Sequence, residues 1–144
     1  MTKLWRLDSK SPELARAFRK ATPEKQRLAV IAACDAALSS VALEDKHAQM
    51  AVTVLRTGVR DQNALHLRLR ELAEQLDDEY FRLDETAGRK EDAVRAFSQA
   101  RAAAALAFAL SSDASQLHEA LYEALSAVHR DPNRLWHRVY AALC

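Results

Sequence analysis

The sequence predicts an all-α protein, a compact helical bundle of about seven helices in a single domain over 1–144. Three observations carry that expectation. Alanine, leucine, arginine and glutamate are abundant and favour helix, whereas β-branched residues are scarce. Only two glycines and three prolines occur in 144 residues, which leaves little material for hairpins and tight turns. Each proline follows a Ser, Thr or Asp, at Ser11-Pro12, Thr22-Pro23 and Asp131-Pro132. This is the arrangement of a capping side chain before a first helical residue that needs no N–H.

The elements follow in order. Residues 1–10 are expected to be extended or loosely docked through Leu4, Trp5 and Leu7. Ser11 caps a helix over 11–20, with Glu13 set against its dipole and Leu14 and Phe18, four apart, turned inward. Thr22, Pro23 and Glu24 repeat the device for a helix over 22–40, followed by one over 43–57. Gly58 and Gly88 suit helix C-termini. Between them runs the most regular helix, 61–87. Its Leu65, Leu69, Leu72, Leu76, Tyr80 and Leu83 recur at steps of three and four and make one apolar stripe. Arg70 with Glu74, and Asp78 with Arg82, are spaced to pair along its polar side. Helices over 89–111, 113–129 and 131–143 complete the set. The alanine-rich run "RAAAALAFAL" lets neighbouring helices approach closely.

A short echo links two of these helices. "RDQNALHLRL" (60–69) and "RDPNRLWHRV" (130–139) share Arg, Asp, Asn, Leu and Arg at matching places. With alanine-rich helices upstream of both, the reading is two α-hairpin-type pseudo-repeats, 22–76 and 94–144. The shared segment is then a helix start in which Asp61 and Asp131 cap and the leucine makes the first core contact.

Charge and motif bound the function. The net charge is +1, so no global field points to nucleic acid. Residues 1–27 carry eight Lys/Arg against three acids, and residues 71–85 carry seven acids against one arginine. The start "MTKLWRLDSK" has no apolar signal-peptide core, and the longest apolar run is too short to span a bilayer, so a cytoplasmic location is expected. Cys34 and Cys144 make no disulfide framework, and Cys34 reads as a small buried hydrophobe. Two isolated glycines cannot build a phosphate loop. The five histidines form no close metal-ligand pair, although His118, Glu119 and Glu123 offer possible ligands on one surface. No catalytic residue, metal or cofactor is assigned.

The surface signal that remains is acidic. Glu74, Asp77, Asp78 and Glu85 fall on one side of the 61–87 helix, with Phe81 among them and outside the leucine stripe. Charge that steers encounter beside a ring that anchors is what a surface for a basic protein needs. The leading expectation is a non-catalytic protein-binding module. It would be a small bacterial cytoplasmic inhibitor, of immunity or adaptor type, that covers a basic site on a protein partner through Glu74, Asp77, Asp78, Phe81 and Glu85. The runner-up is a nucleic-acid-associated regulator using the basic C-terminal helix with Arg130, Arg134, His137 and Arg138. An unrecognised helical enzyme is the third reading.

Overall fold

The computed structural model describes residues 4–58, 63–111 and 113–144. Among them are eight α-helices and no strand: α1 Arg6–Lys10, α2 Pro12–Lys20, α3 Pro23–Val41, α4 Lys46–Thr57, α5 Asn63–Asp84, α6 Lys90–Ala109, α7 Leu117–Ala127 and α8 Asn133–Leu143. A single 3₁₀ turn, Ala114–Gln116, leads into α7. None of these helices is long and apolar enough to cross a membrane.

The extra helix is α1. Five residues are too few to show a period or to be stable alone, so its formation depends on tertiary contact. Leu7 is fully buried, and the Asp8 carboxylate accepts a hydrogen bond from the Trp5 N–H at 2.7 Å. Arg19 on α2 donates to both oxygens of Asp8, at 2.9 and 2.8 Å. That hydrogen bonding, reinforced by the Trp5 N–H, holds the Asp8 pKa down to about 2.

Side-chain caps explain the starts of α2, α3 and α4. Ser11 Oγ accepts from the Leu14 N–H and Thr22 Oγ1 from the Lys25 N–H, each with proline at the first helical position. α4 begins three residues later than expected because Asp45 is the residue that caps it, accepting from the His47 and Ala48 N–H groups. Gly58 closes α4 in the left-handed region at φ 73°. α3 ends on Ala42 at φ 52°, a conformation that alanine adopts rarely.

The second echoed segment opens α8 at Asn133, the described part of the first lies in α5 from Asn63 onward, and Leu65 and Leu135 are buried. The capping role does not hold in the second copy. Pro132, not Asp131, occupies the cap position of α8, and no side chain caps that helix. The Asp131 N–H instead closes a turn onto the Val128 carbonyl at 3.0 Å. Asp61 lies outside the described residues.

The core sits where α3, α6 and α7 meet. α6 packs against α5, α7 and α3, and α8 lies along α3. Ala102, Ala103, Ala105, Leu106 and Ala107 are buried on α6, so this helix is enclosed on more than one side, as its small side chains allow. Cys34 is buried in the same core, and burial pushes its thiol up to about 12, with Asp35 adding to the effect. Asp35 also joins α3 to two neighbours, pairing with Arg138 of α8 at 3.0 Å and Arg56 of α4 at 3.1 Å. The far end of the α5–α6 hairpin has its own small apolar cluster of Leu83, Ala93 and Ala96 with Tyr80 against it.

Candidate functional site

The leucine stripe of α5 faces inward as expected: Leu65, Leu69 and Leu83 are buried, and Leu72, Leu76 and Tyr80 are partly so. At about 100° per residue, Glu74, Asp78, Phe81 and Glu85 therefore lie on the opposite side. Glu74, Asp78 and Glu85 are exposed, and among the described residues no hydrogen bond or ion pair engages their carboxylates. Phe81 is 61% exposed, although its ring edges against Tyr80 at 5.1 Å. The anticipated pairs of Arg70 with Glu74 and Asp78 with Arg82 do not form. Arg68 meets Glu71 at 3.7 Å and Arg82 meets Glu79 at 2.5 Å, three residues apart instead of four.

Asp77 is the exception on this face. It is half-buried and accepts a hydrogen bond from Arg101 of α6 at 2.7 Å. Arg101 also donates to Glu123 of α7 at 2.8 Å. The other oxygen of Glu123 accepts from Arg6 of α1 at 3.0 Å, and Arg6 pairs further with Glu119. Two guanidinium groups thus hold three carboxylates in one chain running from α5 through α6 and α7 to α1. Glu123 is only 2% exposed. Burial works against the charge of Arg6, but its bonds to Glu119 and Glu123 outweigh that and raise its pKa. Its guanidinium also lies 4.3 Å from the centre of the Tyr122 ring.

These partners occupy the carboxylates of the candidate ligand set His118, Glu119 and Glu123. His118 itself stacks on Trp5, ring centres 4.1 Å apart and planes within 3° of parallel, and burial lowers its pKa below 6.5. No group of three His, Cys, Asp or Glu among the described residues is arranged to hold a metal ion.

Asp77, Arg101 and Glu123 of this charged chain line a groove of about 430 Å³ between α5 and α7. α5 contributes His66, Arg70, Glu74 and Asp77, while Ala104, Ala107 and Phe108 of α6 line it with apolar surface. The reason for the groove is local. Where α6 turns alanine towards the gap, its side chains are too short to close the space between the flanking helices. The mouth is set by His66, whose Nδ1 lies 2.7 Å from the Ala107 carbonyl and ties α5 to α6. Within the groove the buried Nε of Arg101 has no hydrogen-bond partner.

Of the five residues expected to bind a partner, Glu74, Asp78, Phe81 and Glu85 form the outer face, and Asp77 is withdrawn into the groove wall. Sequence reasoning missed Arg101, and it placed Glu123 on a surface with His118 and Glu119 where the structure buries and pairs it. A signal for both exists: each is a lone charge inside an apolar run, "QARAAAAL" and "ALYEALSAV", and a charge so placed needs a partner.

Two of the four basic groups at the C-terminal helix have acidic partners, while Arg134 and His137 are exposed with none among the described residues. Arg138 pairs with Asp35, and Arg130 lies 3.5 Å from Glu91. Leu135 and Val139 are buried against α3, while Trp136 and Tyr140 stack on the outer flank at 5.7 Å. A broader groove of about 870 Å³, between the ends of α3 and α7, carries Glu44, Glu91 and Asp131 opposite Arg95, Arg130 and Arg134, with neither sign in excess. No protein-family model, curated protein or solved structure matches this chain.

Proposed function

We propose that this protein is a non-catalytic binding module whose acidic α5 face covers a basic site on a protein partner, in the manner of a small bacterial cytoplasmic inhibitor of immunity or adaptor type. The observation that carries the reading is the exposed Phe81 ring flanked by Glu74, Asp78 and Glu85, whose carboxylates have no internal partner, on a helix whose inward side is already satisfied. Free carboxylates raise the rate of encounter with a basic surface, and a rigid exposed ring supplies the apolar anchor that charge alone lacks. Large apolar side chains exposed singly are common, so the weight lies on the combination.

Because Asp77 is structural, the test uses Asp78 and Glu85. Native-source purification of the tagged chain identifies the co-eluting protein, and the purified pair is then measured. Asp78→Lys with Glu85→Lys is expected to slow association and flatten its salt dependence, while Phe81→Ala is expected to speed dissociation. Unchanged binding in both variants, or recovery of salt-eluted nucleic acid in place of a protein, overturns the reading.

A further inference from the structure

We infer that the groove between α5 and α7 is an anchor site for a single cationic side chain, an arginine or lysine, presented by the protein that docks on the α5 face. The inference rests on the binding reading above and adds where the specific contact lies.

Charge supplies the first argument. Among the described residues, Asp77, Glu119 and Glu123 share two guanidinium groups, those of Arg6 and Arg101, so the chain of ion pairs holds one carboxylate more than it holds guanidinium groups. His118 lies 3.4 Å from Glu119, but burial disfavours its charged form, which leaves that excess standing at neutral pH. The excess is reachable at Asp77. Arg101 uses Oδ2 of this residue, and no hydrogen bond among the described residues engages Oδ1. Glu74, one turn away on the same wall, contributes a second carboxylate with no partner. A cation placed between them meets two acceptors, one of which is held in place from inside the protein by Arg101. Arg70, also on that wall, opposes a cation, but it is exposed and can swing into solvent.

Shape supplies the second. The groove surface formed by Ala73, Ala104, Ala107 and Phe108 is apolar. An arginine or lysine has an aliphatic stem with a charged head, and it lies on apolar surface while the head reaches a polar rim. A volume of about 430 Å³ accommodates one such side chain with water to spare, and is too small for a folded element. A bare metal ion would leave the alanine and phenylalanine surface unused.

The inference is tested first without the partner. Acetyl-arginine amide and its uncharged isostere acetyl-citrulline amide are titrated into the ¹⁵N-labelled protein and followed by NMR. The arginine probe is expected to give saturable shifts at residues 66–77 and 101–108, and the citrulline probe to give none there. Glu74→Gln, which removes no internal contact, is expected to weaken the arginine probe about tenfold, the worth of one charge-assisted hydrogen bond. Ala104→Phe, which fills the groove, is expected to abolish the shifts. Equal shifts from both probes, shifts confined to Asp78 and Glu85, or no shift at the groove overturn the inference. With the partner in hand, the two readings separate. Loss of binding in the Asp78 and Glu85 reversals but not in Glu74→Gln or Ala104→Phe removes the anchor site and leaves the docking face. Loss in none of these variants removes both.

Discussion

His118 shows how one side chain becomes sensitive to pH through its surroundings. It stacks on Trp5, a ring that also receives the Arg19 guanidinium at 4.0 Å from its centre. Burial disfavours the imidazolium, so the folded pKa lies below the unfolded value of 6.5. The sign follows from linkage. Above pH 6.5 both states are neutral at this site and its contribution is complete; as pH falls the unfolded chain takes the proton first, and stability is lost. Urea unfolding from about pH 8 to about pH 5 is therefore expected to show a fall in stability that His118→Phe, which keeps a stacked ring, reduces. An identical pH slope in the variant would show that His118 is not the group responsible.

At the scale of the element, capping and small-residue packing each make a contrast. Ser11 caps α2 through a hydrogen bond, whereas Asp131 makes none to the start of α8. Ser11→Ala is expected to cost about 1 kcal/mol, and Asp131→Ala much less, when both are measured by chemical denaturation. Equal costs would restore a capping role for Asp131. On α6, Ala103 is fully buried while its neighbour Ala104 lines the groove. Ala103→Leu is expected to overpack the core by about 1–3 kcal/mol, and Ala104→Leu to be tolerated because it grows into open space. The sequence alone treats these two alanines alike. Only the placement of α5 and α7 around α6 separates them.

The whole molecule is joined across its length by Glu123. This one carboxylate connects Arg6, near the N-terminus, with Arg101 on α6, and through Arg101 with Asp77 on α5. Removing one member of a buried ion pair strands the charge of the others, so Glu123→Ala is expected to cost about 3–5 kcal/mol by denaturant unfolding. Adding Arg101→Met to that variant is expected to restore part of the loss, since Arg101 then has Asp77 alone to offset its desolvation. A double mutant as unstable as the sum of the two single mutants would show that the network is not coupled in this way.

Helical class, the caps at Ser11 and Thr22 and the inward stripe of α5 are legible in the amino-acid order, because these depend on residues three or four apart along one helix. Ser11, Thr22 and Gly58 act where they were placed, and Leu65, Leu69 and Leu83 are buried. The amino-acid order also marked Phe81, since a large ring outside a regular stripe has no inward place to go. Tertiary structure alone decided the rest. α1 exists because Leu7 finds the core and Arg19 finds Asp8. Asp77 left the acidic face because Arg101, 24 residues away in sequence, reaches it from α6. The groove arises because three helices meet over alanines. Each of these depends on groups distant in the chain, and helical periodicity carries no information about which distant charges or surfaces will meet.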